Sequence, residues 1–218
     1  MKMLDVPQSG SIAGQTSSRN RFGQYRRTRA TPVNPNTGPQ GTARNRLASR
    51  AAEWRDLTAV QREGWESLGL MMTRTDSLGQ TYTLTGFQAY VSVNSNNDAA
   101  GNAIVAAAPA LATPTGLLTV TITLTAAAVS IAYTTTPLAA GNRLFSFASP
   151  QRSAGRAFEG DYRLIAVSAA AAASPAVLTT AYAARLGTPV VGNRVFFSFQ
   201  TYEAGFLSGP LNVSQVVA

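Results

Sequence analysis

The side chains able to carry chemistry in this chain are ten carboxylates, seventeen arginines and one lysine, because the sequence has no histidine and no cysteine. That removes zinc fingers, thiol nucleophiles, Ser-His-Asp triads, haem ligation and disulfide frameworks, whose bases and ligands are missing. Among the carboxylates, Glu159 and Asp161 alternate at the expected start of a strand, a spacing that sends them to opposite faces and keeps them from converging. Glu63 and Glu66 sit one helical turn apart beside Arg62, the pattern of a solvated helix face. Asp76, Asn94, Asn96 and Asp98 offer oxygens to calcium, but their spacing does not match the twelve-residue loop with its closing glutamate. Gly10-Ser11-Ile12-Ala13-Gly14 lacks the lysine and the preceding strand of a phosphate-binding loop. None of these patterns amounts to an active site. The expectation is a protein that is not an enzyme, with no cofactor and no metal.

The arginines are distributed unevenly. Residues 1–50 carry Lys2, Arg19, Arg21, Arg26, Arg27, Arg29, Arg44, Arg46 and Arg50 against Asp5, so the whole net charge of +8 falls there and residues 51–218 are neutral. The same segment holds Gly10, Gly14, Gly23, Gly38, Gly41, Pro32, Pro35 and Pro39 and shows no apolar periodicity of either kind. It cannot bury enough apolar surface to offset its own ordering entropy. Three readings are open: a solvated tail, a nucleic-acid tether, or a limb that orders against another protein subunit. The preference for arginine over lysine, with Ile12, Phe22, Tyr25 and Val33 interleaved, favours the limb. Guanidinium groups make bidentate contacts with carboxylates and stack on aromatics, which suits a protein interface. The opening MKMLDVPQSG has no apolar core of a secretion signal, and no window approaches the roughly 20 apolar residues that span a bilayer, so no membrane partner is expected.

The elements that must position these residues follow from periodicity. Residues 1–41 read as an extended basic arm, residues 42–98 as a small helical module, 99–114 as a linker rich in Ala, Gly and Pro, and 115–218 as a β domain. Leu47, Ala51 and Trp54 form an apolar stripe that predicts a helix from about Thr42 to Arg55. Thr58-Ala59-Val60-Gln61 is a capping box opening a second helix with Trp65 and Leu68, and a tight turn would let Trp54 and Trp65 pack together. Asp76 to Gln80 reads as a turn, and Thr85-Gly86-Phe87-Gln88 as a second capping box whose short helix stops in Asn94-Ser95-Asn96-Asn97-Asp98. From Leu117 the period is two, through Leu118 to Leu124, Val129 to Tyr133, Leu144 to Phe147, Tyr162 to Val167, Val195 to Phe199 and Leu211 to Val217, with Ala169 to Ala173 as a loop. The predicted fold is α+β and multidomain, ending in an antiparallel β-sandwich of immunoglobulin or fibronectin III kind.

Three segments carry a resemblance: SGSIAGQTSSRNRFGQYRRTRATPVNPNTGPQ from Ser9, WRDLTAVQREGW from Trp54 and LTGFQAYVSVN from Leu84. Through its Arg-Asn-x-x-Gly-x-Tyr arm and Trp-x-x-Leu-Thr-x-x-Gln-Arg-x-x-Trp hairpin the chain resembles a family of largely uncharacterised proteins of bacterial genomes, prophages and tailed phages; SPQRSAGRAFEGDYRLIAVS from Ser149 matches a looser family pattern. The resemblance implies a non-enzymatic virion structural protein, located in the virion. The function expected is a capsid-associated decoration or cement protein that grips neighbouring subunits or the major capsid protein and is homo-oligomeric in the assembly. The alternatives are a head–tail or tail component, or a nucleic-acid-binding protein using the arm. Partner-binding side chains are expected at Arg19, Asn20, Arg21, Phe22, Tyr25, Arg26, Arg27 and Arg29, with Pro32, Asn34 and Pro35 holding the backbone extended.

Overall fold

A computed structural model describes residues 8–20, 23–31, 33–76, 78–134 and 136–218, and its architecture is mixed α+β with four helices and several antiparallel sheets among them. Two compact units are present, Met1–Arg44 and Asn45–Ala218. The division falls inside the helix over Gly38–Asp56, and every helix and strand after Asp56 falls in the second unit.

In the first unit, β1 (Gly10–Ile12), β2 (Gln15–Asn20) and β3 (Gly23–Thr28) form an antiparallel meander in that order. The composition argues for an arm without regular structure, yet Ser, Thr, Gln and Tyr pair their backbone groups across short connections and so satisfy them without a core. The coreless character remains: none of the described residues before Arg50 is buried. Helix α1 (Gly38–Asp56) starts four residues earlier than predicted. Pro39 lies in its first turn, where an N–H would have no helical partner, and Gln40 Oε1 accepts the Thr37 N–H at 3.3 Å. The predicted stripe fails at Leu47, which is 52% exposed; the residue that α1 buries is Arg50.

In the second unit α2 (Ala59–Met71) and α3 (Gly86–Ala99) both begin with the capping boxes read from the sequence, at Thr58/Gln61 and Thr85/Gln88. Between them β4 (Thr73–Thr75) and β5 (Thr81–Thr83) form a hairpin closed by Asp76, whose Oδ1 accepts the Leu78 and Gln80 N–H groups at 2.8 Å. Trp54 and Trp65 each pack on Tyr90, with ring centroids 5.5 and 5.2 Å away. Helix α3 runs through the polar stretch expected to end it, because Asn94 and Asn97 are buried and satisfied. Asn94 exchanges hydrogen bonds with the Val105 backbone, accepting at 2.9 Å and donating at 3.1 Å, and Asn97 Oδ1 accepts from the Tyr202 hydroxyl at 2.7 Å. The expected linker is therefore a strap: Trp65 Nε1 donates to Ala106 O at 2.8 Å, and Ile104, Val105, Ala108 and Ala112 pack on the helical core.

The remaining elements are β6 (Thr119–Leu124), β7 (Val129–Thr134), β8 (Arg143–Ala148), β9 (Arg152–Ser153), β10 (Arg163–Val167), β11 (Ala176–Val177), α4 (Thr179–Leu186), β12 (Asn193–Glu203), β13 (Phe206–Leu207) and β14 (Leu211–Val216). One sheet is ordered β10-β8-β12-β13 with β9 and β14 also on β12, and another β11-β7-β6. Leu124, Val129 and Ile131 from the second share one core with Leu144, Val195, Phe197 and Phe199 from the first. The opposite face of β8 and β12 is also covered, since Phe145 stacks on Tyr202 at 5.6 Å beneath Ala100 at the end of α3. A strand covered on both faces reads as a continuous apolar run, as Val195-Phe196-Phe197 does, with Ser198 buried beyond it.

Candidate functional site

The meander places the sequence-predicted residues by strand parity. Ser18 pairs with Tyr25 and Thr16 with Arg27, so Tyr25 and Arg27 share one face with Asn20. Ser17 pairs with Arg26 and Arg19 with Gln24, which puts Arg19 and Arg26 diagonally together on the other face. The arginines thus charge both faces of the sheet. Arg26 Nη2 donates to Gln8 Oε1 at 2.9 Å, while the guanidinium groups of Arg19, Arg27 and Arg29 have no hydrogen bond or ion pair among the described residues. Arg29 follows β3, where its backbone N–H donates to Gly14 O at 2.8 Å. Asn34 sits apart from this group: its Oδ1 accepts from the Asn36 N–H at 3.2 Å and from Arg44 Nη2 at 3.1 Å, which fixes the turn around exposed Pro35. Arg21, Phe22 and Pro32 lie outside the described residues.

Two charged networks in the second unit were not anticipated. Glu159 and Asp161, expected to diverge, converge on Arg152, because both belong to the loop before β10 and not to its strand. Glu159 is only 4% exposed. Its Oε2 accepts from Arg152 Nε and lies 3.5 Å from Arg156 Nη2, and its Oε1 accepts the Gly160 and Asp161 N–H groups at 2.9 and 3.1 Å. The Arg152 hydrogen bond, with the backbone donors, holds its carboxyl down at about 2 in spite of burial. In the helical part, Glu53 Oε2 accepts from Arg50 Nη1 at 2.8 Å and from the Tyr90 hydroxyl at 3.0 Å. Burial first, then the hydrogen bond to Glu53 and its charge, push the Tyr90 hydroxyl up to about 12. Loop pairing that ignores strand period, and an Arg at i of a Glu at i+3, are the only sequence signs of these groups.

Chemically, the first unit offers the guanidinium groups of Arg19, Arg27 and Arg29, Tyr25 and amides on an open sheet, groups whose chemistry suits contact with anions and aromatic rings. Both carboxylates of the Arg152 cluster are held in ion pairs. Among the described residues no group of three acidic side chains is placed to hold a metal ion, and no helix is long and apolar enough to cross a membrane. Clefts on the second unit include three of about 560, 530 and 450 Å³. The first lies between Met71, Arg74, Leu111 and Phe206; the second is walled by Trp54, Leu70, Leu84 and Phe87; the third is lined by Glu53, Asp56, Leu57 and Tyr90. No protein-family model matches the chain, and neither a curated protein nor a solved structure matches it.

Proposed function

We propose that the chain is a non-enzymatic structural subunit of a tailed-phage virion, a capsid-associated decoration or cement protein that grips neighbouring subunits with its basic N-terminal segment. The observation that carries this reading is that the entire net charge of +8 lies in residues 1–50, where β1 to β3 form a sheet with no buried described residue and with arginines on both faces. A three-stranded sheet without an apolar face is marginal alone and gains its stability from what covers it. Arginine, tyrosine and amide side chains are those that protein interfaces favour at their anchoring points. The two sheets that share one core are read, within the same proposal, as a sandwich of immunoglobulin or fibronectin III kind.

The test is a chain lacking residues 1–44 assembled against the intact chain into particles. Loss of incorporation is the expected result, and unaltered incorporation overturns the proposal. Nucleic-acid binding through the same charge is the second reading, since arginines on both faces also suit phosphate. Titration of the full chain with duplex DNA against salt separates the two: negligible binding at about 150 mM salt supports the protein limb, and a steep log–log slope from several released counterions supports DNA.

A further inference from the structure

Phe158 is 77% exposed at the tip of the loop between β9 and β10, yet the loop that carries it is firmly held. Its own carbonyl accepts from Arg156 Nε at 2.7 Å, the Arg156 carbonyl accepts from Arg194 Nη1 at 3.1 Å, and the next residue, Glu159, is the buried carboxylate locked by Arg152. An aromatic ring presented on a fixed backbone within an arginine collar has the composition of an interface anchor, with little ordering cost left to meet on binding. Arg152, Arg156 and Arg163 pair with the two carboxylates Glu159 and Asp161, and Arg194 donates to the Arg156 carbonyl, so four arginines against two carboxylates leave the collar cationic.

The cleft walled by Trp54, Leu70, Leu84 and Phe87 has the opposite character. Its lining is mostly apolar, its volume is about 530 Å³, and Leu70 at its edge is 68% exposed. The charged residue lining it is Glu66, with Glu63 one helical turn away on the same stripe of α2; neither has an ion pair among the described residues. Knob and cleft lie towards opposite ends of β12. The Phe158 loop is fastened at Asn193 and Arg194 through β9 and Arg156, whereas the helices meet the other end at Tyr202 and Phe206. Eleven residues of strand separate these ends by roughly 35 Å.

We infer that Asn45–Ala218 self-associates head to tail, the Phe158 knob and arginine collar of one copy seating in the Trp54–Phe87 cleft beside Glu66 of the next. The occupant is a second copy because one chain supplies both halves of the match: an apolar ring with excess positive charge, and an apolar cleft with negative charge. Such a contact is heterologous, so it propagates into a ring or an open row and does not stop at a two-fold dimer. The inference does not rest on the N-terminal segment.

Sedimentation of the full chain over a range of concentration tests it. The intact chain is expected to show mass above the monomer that rises with concentration and falls with salt. Phe158→Ser and Leu70→Arg, both at exposed positions, are each expected to weaken association about tenfold or more. Mixed together, the two variants are expected to form a one-to-one pair, since one retains an intact cleft and the other an intact knob. A chain that stays monomeric at about 500 µM in low salt overturns the inference. So does association unchanged in either variant, or a mixture that gives no pair.

Discussion

Glu159 shows how one side chain can organise a loop. It accepts from Arg152 and from two backbone N–H groups, and these donors favour the ionised carboxylate enough to outweigh desolvation. A carboxyl lowered in the folded state to about 2 from its ordinary 4.5 adds stability that is complete above pH 4.5 and disappears as pH falls towards 2. Glu159→Gln is therefore expected to lower the melting temperature at neutral pH and to flatten its fall between pH 4.5 and pH 2, read by thermal melts across that range. Tyr90 runs the other way. Its hydroxyl is raised to about 12, so the stability it adds is full below pH 10 and is lost as pH climbs from 10 through 12. Tyr90→Phe is expected to cost about 0.5–1.5 kcal/mol in denaturant unfolding at pH 7 through the lost hydrogen bond to Glu53, and to blunt the alkaline limb. The Glu159 group was not legible in the sequence because alternation assigns faces only inside a strand, and β10 begins at Arg163, two residues after Asp161.

At the scale of elements, local chemistry was readable and tertiary compensation was not. Both capping boxes stand where Thr58/Gln61 and Thr85/Gln88 put them, since a cap needs only four consecutive residues. Thr58→Ala and Thr85→Ala are each expected to destabilise by about 1 kcal/mol in chemical denaturation, additively if the two helix starts are independent. The end of α3 was misjudged because Asn94 and Asn97 are poor helix formers alone and become acceptable only when Val105 and Tyr202 satisfy their amides. Helix α4 was missed for a related reason: Leu178 precedes it without a side-chain cap, and the hydroxyl of Thr179 accepts from the Val129 N–H at 2.9 Å. Close approach of α2 to the segment entering α3 depends on Gly69, where a Cβ would fall 2.6 Å from the Leu84 carbonyl oxygen. Gly69→Ala is expected to destabilise by about 1–3 kcal/mol, with near-ultraviolet circular dichroism of Trp54 and Trp65 changing in step.

For the whole molecule the contrast is between a first unit with no buried described residue and a second with cores on both faces of one sheet. Composition exposed the first property plainly, because a surplus of arginine without apolar periodicity has few other outcomes; the three strands were hidden because Ile12 and Tyr25 are too few to set an alternating apolar face among glycine and polar residues. Trypsin is expected to cut the isolated chain first between Arg19 and Arg29 and to leave a resistant fragment beginning near residue 45, and the proposed function adds the expectation that incorporation into a particle protects the same bonds. Phe206 lies in the helical core although it belongs to the β12 sheet. Phe206→Ala is expected to cost about 3–5 kcal/mol and to shift helical and sheet signals to one lower midpoint, and separate midpoints would contradict a shared core. The junction that makes this so is a set of short polar fastenings: Asn96 Nδ2 to Gly205 O at 2.8 Å, Tyr202 to Asn97 at 2.7 Å and Asn102 Nδ2 to Tyr202 at 2.8 Å. All three join the end of α3 and the residues just after it to β12 and the turn that follows, so a pull that separates helices from strands loads them together, and the two parts would bear it as one stiff body instead of peeling apart bond by bond.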